Sequence, residues 1–122
     1  MTTLLVVDAA NVIGSRPDGW WRDRAGAVTR LRDALVAADL PEDTVLVTEG
    51  AARSVAAVPG IEVVAAAGSG DDAIVNVVAV RADEGRSIVV VTADRELRRR
   101  VEALGAATTG PRTLMDAVER PD

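Results

Sequence analysis

The sequence predicts an α/β protein, a three-layer α/β/α sandwich around a central, mostly parallel sheet of about five strands. Three observations predict it. Five short runs rich in Val, Leu, Ile and Ala recur along the 122 residues, and their apolar character is largely continuous rather than alternating, as in strands buried on both faces. Segments of helical spacing lie between them, and that alternation implies right-handed crossovers and a parallel sheet. The only aromatic residues are Trp20 and Trp21, so aliphatic side chains must fill the core; a hydrophobic fraction of 48% is enough for one. Residues 1–122 are therefore expected to form a single domain.

The first strand, residues 4–7, runs Leu4-Leu5-Val6-Val7 and stops at Asp8. Residues 14–21, broken by Gly14, Pro17 and Gly19, read as a surface loop above the end of that strand. A helix over 23–38 follows, with Ala25, Val28, Leu31, Leu35 and Ala38 on one face at spacings of three and four. The second strand is 44–48 and the third 61–65; between them a short helical turn at 53–58 is ended by Pro59-Gly60. Residues 71–84 are Val-rich, which by propensity alone permits a strand. Their length and the closing Gly85 favour a helix. The fourth strand, 87–92, leads into a helix over 94–104 with Leu97, Val101 and Leu104 on one face. Arg98, Arg99 and Arg100 fall on its solvated faces, and Gly105 follows as the C′ residue. A weak fifth strand at 106–109 precedes a last short helix, 111–118, with Pro111 in its first turn. Pro121-Asp122 reads as a loose end, and no internal repeat is present.

The chain has no Cys and no His. A disulfide framework, a thiolate site, a zincin centre and a serine triad are excluded, which leaves carboxylates, hydroxyls, Arg or a metal to do any chemistry. A net charge of −5 argues against coating nucleic acid through a general positive field. All 14 basic residues are Arg; this fits a coding bias, yet each is also a bidentate phosphate donor. Met1-Thr2-Thr3 lacks a charged leader, and the apolar run behind it breaks at Asp8, short of a signal peptide or membrane span. A cytoplasmic protein without a membrane partner is expected.

In an open parallel sheet, ligands bind beyond the carboxyl ends of the strands. Asp8, Glu49, Asp71 and Asp94 each follow one of the first four strands. Acids gathered on one rim repel one another, and a divalent cation with oxygen ligands, Mg²⁺ or Mn²⁺, reconciles them. Each has a plainer reading. Asp94 is an ordinary N-cap for the next helix, and Asp71 or Asp72 equally so; Glu49 beside Gly50 begins a turn. Asp8 ends a buried strand, where an unpaired carboxylate is costly. Asn11 either orients a carboxylate or metal-bound water through its amide or supports a tight turn. Trp20 and Trp21 offer faces for an unpaired base, or a buried anchor. Arg16, Arg22, Arg24 and Arg95 stand near enough in sequence to meet phosphates, against a default of solvated side chains. Gly68-Ser69-Gly70 lacks the Lys and spacing of a P-loop and reads as the turn presenting Asp71.

Three blocks together resemble a known family: Leu4-Leu5-Val6-Val7-Asp8-Ala9-Ala10-Asn11-Val12-Ile13-Gly14, Gly70-Asp71-Asp72-Ala73-Ile74, and Val90-Val91-Thr92-Ala93-Asp94-Arg95-Glu96-Leu97. In order and spacing the chain resembles the NYN branch of PIN-like ribonucleases, within it the YacP-like group of bacteria. The resemblance implies a PIN-like fold and metal-dependent endonucleolytic cutting of RNA. Asp8 matches the family's first-strand acid, Asn11 its following Asn, Asp71 the acid opening the middle helix and Asp94 the acid after the fourth strand. Glu96 falls where many relatives carry a second acid; Ala9 stands where Gly is frequent and Ala93 where Ser is common. The expectation is therefore catalysis by Asp8, Asn11, Asp71 and Asp94. Asp8, Asp71 and Asp94 would hold Mg²⁺ or Mn²⁺ with Glu49 or Asp72 in support, and Arg16, Trp20, Trp21 and Arg95 would contact RNA. Metal-activated water leaves a 5′-phosphate and a 3′-hydroxyl. With no wide basic platform, a ribosome or protein partner is expected to assist binding, and monomer and homodimer both stay open. The rivals are a catalytically silent PIN-like module binding RNA or protein, and a phosphoesterase acting on a small phosphate or nucleotide.

Overall fold

Every neighbouring pair of strands in the sheet is parallel. The computed structural model describes residues 2–120, so the expected loose end Pro121-Asp122 lies outside the described residues. Strands β1 (Leu4–Asp8), β2 (Asp43–Thr48), β3 (Glu62–Ala65), β4 (Ile88–Val91) and β5 (Ala107–Thr109) form one sheet in the order β3-β2-β1-β4-β5. Val6 of the central strand lies between Val45 and Val90 in register.

Successive side chains of a strand point to opposite faces, and the core divides accordingly. Leu4, Val6, Val45, Val47, Ile88 and Val90 pack against Ile74 and Val78 of α3 (Gly70–Asp83) and Leu97 and Val101 of α4 (Arg95–Glu102). Leu5, Val7 and Leu46 pack on the other face. There they meet Val12 of α1 (Ala9–Gly14), Val28, Leu31 and Leu35 of α2 (Arg24–Ala38), and Leu114 of α5 (Pro111–Glu119). Each such side chain fully removed from water contributes about 1.5–3 kcal/mol before the entropy of ordering is subtracted. The Val-rich segment became a helix for this reason: Ile74 and Val78, four residues apart, bury on one side while Asn76 and Val80 face solvent. Gly85, at φ 82°, takes the left-handed turn that stops it. No helix among the described residues is long and apolar enough to cross a membrane.

Two elements differ from expectation. Between the first strand and the loop, where the sequence predicts no element, the chain enters α1 directly, a six-residue helix too short to display a period. The loop beyond it closes in a 3-10 turn at Trp20–Arg22. The short turn expected at 53–58 lies earlier, as a 3-10 turn at Gly50–Ser54, and Val55 is already extended because its side chain is buried in the α2 face of the core. The topology sets the site. From β1 the chain crosses to β2 and β3 on one side, then α3 carries it back to β4 on the other side of β1. The strand order reverses between β1 and β4, and the crevice outside their carboxyl ends is where open α/β sheets bind ligands.

Candidate active site at the carboxyl edge of the sheet

Asp8 is the last residue of β1 and only 6% exposed. Its Oδ1 accepts from the Asn11 N–H at 3.4 Å, capping α1, and its Oδ2 accepts from the Thr92 hydroxyl at 2.9 Å. Thr92, fully buried just past β4, in turn accepts from the Asp94 N–H at 3.2 Å. Asp94 caps α4, its Oδ1 accepting from the Leu97 N–H at 3.0 Å. Asn11 closes the loop, because its Oδ1 accepts from the Ala93 N–H at 2.8 Å. A backbone N–H only donates, so the amide oxygen of Asn11 must face Ala93, and its NH₂ group points elsewhere. Asp8, Asn11, Thr92 and Asp94 are thereby tied into one network across the switch point.

Glu49 follows β2 and reaches α3, where its Oε2 accepts from the Gly70 N–H at 3.0 Å, favourably placed at a helix N-terminus. A Cβ at residue 70 would lie 3.0 Å from the Glu49 carboxyl carbon, a tight contact to which the bonded carboxylate would have to yield. The clamp holds the first turn of α3, with Asp71, at the rim. The helix itself is capped by Ser69, whose hydroxyl accepts from the Asp72 N–H at 3.1 Å; neither Asp71 nor Asp72 has that duty.

The carboxylates feel one another. Burial pushes the Asp8 carboxyl up to about 6, opposed by its Thr92 and Asn11 hydrogen bonds and assisted by the charges of Asp71 and Glu49. Asp71 is also raised, first by burial and then by Asp94 and Glu49, with Arg100 opposing. Asp72 is drawn outward to Arg100, at 2.9 Å on the surface between α3 and α4. Of the two acids opening α3, Asp71 thus couples to the buried carboxylate and Asp72 is paired away from it. The four acids share a neighbourhood without forming a finished cage: among the described residues, no three Asp or Glu are grouped closely enough to close on one ion by themselves.

Around the rim, Trp20 is half-buried against the α2 face of the core and Trp21 is 55% exposed, their rings edge to face at 6.0 Å. Arg24 lies 5.3 Å over the Trp20 ring and Arg22 5.8 Å over that of Trp21. Arg95 is exposed beside Asp94. Arg16 is bonded to Glu119 at 2.6 Å, fastening the end of α1 to α5. Arg98 is not simply solvated as expected: its Nε donates to the Thr92 carbonyl at 2.8 Å, bracing the residue under the network. Thr92, Arg98 and Gly70 escaped sequence reading. The one available signal was a hydroxyl residue between a buried strand and Asp94.

The fold and its acidic crevice define a parallel α/β domain of the PIN-like type that the sequence resemblance implied. Two solved structures of Rae1 (YacP) from Bacillus subtilis are similar to this chain, each with a TM-score of 0.79. A mutant form is 19% identical, with 97% of this chain and 76% of that one covered. The other structure is 20% identical, with 98% and 74% covered. At this identity the likeness carries the fold, which this chain shares with a YacP protein. No protein-family model and no curated protein sequence matches the chain.

Proposed function

We propose that this chain is a metal-dependent endoribonuclease that hydrolyses RNA phosphodiester bonds at the crevice between β1 and β4. The observation that carries the reading is Asp8: a carboxylate buried at the switch point, joined through Thr92 to the backbone of Asp94 and repelled by Asp71 and Glu49. A fold without a use for that repulsion would have no reason to retain it, since burying an unneutralised charge is costly. Because no three of the described acids close on one ion, a divalent ion here would have to be bound partly through water, which is the habit of Mg²⁺. Asp8, Asp71 and Asp94 would hold Mg²⁺ or Mn²⁺, with Glu49 in support. Asp72 is less suited because it is committed to Arg100.

When bound, such an ion supplies Lewis-acid polarisation of a phosphate and a nucleophilic water at neutral pH. The chain's own groups do the positioning. Asp94 and Asp8 are fixed relative to each other by Thr92, and the Asn11 NH₂ group, unused in the network, would donate to a phosphate oxygen. Arg95 and Arg24 pair with flanking phosphates. Attack by water would form a new bond to phosphorus and break the bond to the 3′-oxygen; one proton of the water ends on that oxygen, giving a 3′-hydroxyl, and the other fragment keeps a 5′-phosphate. The protein would act in the cytoplasm, with a ribosome or protein partner assisting where so few cations face the crevice.

The test is cleavage of structured and unstructured RNA with Mn²⁺, with Mg²⁺ and with chelator, using Asp8→Asn as control. Metal-dependent cutting that Asp8→Asn abolishes supports the proposal. Equal cutting by both proteins points to a contaminating nuclease. RNA binding with no cutting under any metal supports the second reading, a silent binding module, which the absence of a closed acidic cage favours.

A further inference from the structure

Beside the acids lies a pocket of which the chemistry above uses only the edge, Glu49 and Arg24. It has a volume of about 270 Å³, and its lining includes Ala9, Ala10, Ile13, Trp20, Arg24 and Glu49. Its floor is apolar and built of small or aliphatic side chains. One wall is the Trp20 indole with the Arg24 guanidinium 5.3 Å over it, and the wall towards the crevice is Glu49. Ala9 directly follows Asp8, so the pocket opens within a residue of the buried carboxylate. Resting on the nuclease reading, we propose that this pocket receives one unpaired nucleobase of the RNA, next to the phosphate in the crevice.

The chemistry selects that occupant. A mostly apolar pocket with an aromatic and cationic wall suits a planar π-system that also carries a phosphate, because bases stack on Trp and Arg planes and Arg pairs with phosphate oxygens. Its volume falls just under the range of pockets that take drug-sized ligands, too small for a folded motif and suited to a single base. A paired base is held in its stack and cannot enter without being extruded, so the pocket would confine cutting to single-stranded stretches. A rim of acids repels the phosphates it must approach, and near it Arg16 and Arg100 are engaged by Glu119 and Asp72. A stacked base would add affinity to what Arg24 and Arg95 supply through the backbone.

The experiment uses the full chain with Trp21→Phe, so that Trp20 is the one indole reporter, titrated in chelator so that nothing is cut. Short single-stranded RNA should quench Trp20 saturably. Blunt duplex RNA, and the same strand with an abasic site at the bound nucleotide, should bind at least about tenfold more weakly, the scale of one base stacked on an aromatic ring. Ala10→Leu, which fills the pocket from a half-buried position, should remove the quenching while leaving the melting curve of a folded protein. Arg24→Gln, which needs no repacking, should weaken binding severalfold. Quenching that survives Ala10→Leu, or equal binding of duplex, abasic strand or a free nucleoside monophosphate, would overturn the proposal. Cleavage is read separately with Mn²⁺. Quenching without cutting would sink the nuclease reading and leave the base pocket standing, whereas cutting indifferent to Ala10→Leu would do the reverse.

Discussion

Asp8 carries two opposed demands, and its pH behaviour separates them. Its folded carboxyl titrates near 6 against 3.8 for an ordinary Asp. Well below 3.8 both folded and unfolded chains hold the proton. As pH rises towards 6 the unfolded chain releases it first, so the folded state is progressively disfavoured, by about 3 kcal/mol above pH 6 at the usual 1.36 kcal/mol per pKa unit. Asp8→Asn keeps a good N-cap for α1 and has no charge to bury. In chelator at pH 7 it is expected to be more stable than the parent by about 1–3 kcal/mol, an advantage that shrinks towards pH 4, as urea denaturation at the two pH values would read. A parent protein equally stable at both, relative to the variant, would contradict the burial argument. Thr92 makes a second case. Thr92→Val keeps the shape but leaves the Asp94 N–H and one Asp8 oxygen without their partner, costing about 1–3 kcal/mol and lowering kcat more than KM. Thr92→Ser should restore most of both. Thr92 was invisible as a site residue because β-branched Thr at the end of a Val run reads as strand. Its role comes from a pairing 84 residues distant in sequence.

At the scale of elements, the strands and the long helices were legible because burial on both faces of a sheet writes continuous apolar runs, and burial on one side of a helix writes spacings of three and four. Leu5 to Val7 and Val28, Leu31, Leu35 are buried as that logic requires. The rim positions of Asp8, Glu49, Asp71 and Asp94 followed from the strand ends. What stayed hidden was local and short. Helix α1 spans one and a half turns, and the 3-10 turn at Gly50–Ser54 is dictated by where Val55 can be buried. The Glu49–Gly70 clamp was hidden too, since it joins β2 to α3 through the absence of a side chain. It yields an inverted expectation. Gly→Ala in a helix ordinarily stabilises by about 0.5–1 kcal/mol, yet Gly70→Ala should destabilise by roughly 1–2 kcal/mol, the scale of an overpacked contact, and reduce cutting by displacing Asp71. Glu49→Ala should relieve that penalty, so the double variant will be more stable than the sum of the singles. Additive losses in thermal melts would show that the clamp does not exist.

For the whole molecule, net charge and topology together would set how the proposed substrate and ion are held. The sheet places its switch-point crevice among four acids on a chain of net charge −5, so the chain carries a repulsion that a divalent ion would relieve and RNA would aggravate. Two consequences can be measured on one preparation. An ion that binds the folded state alone stabilises it by about 2.7 kcal/mol at a hundred times its Kd. Mn²⁺ should therefore raise the melting temperature of the parent at pH 7.5, less at pH 5 where protons compete for Asp8, and little in Asp8→Asn. RNA binding should behave differently. Each phosphate neutralised on a single strand contributes about −0.7 to the slope of log K against log salt. With Arg24 and Arg95 as the crevice cations, making no ion pair among the described residues, the slope should be about −1.4. A slope several times steeper would mean that a basic surface elsewhere does the binding, and the crevice would then be a place where RNA is cut after being captured by something else.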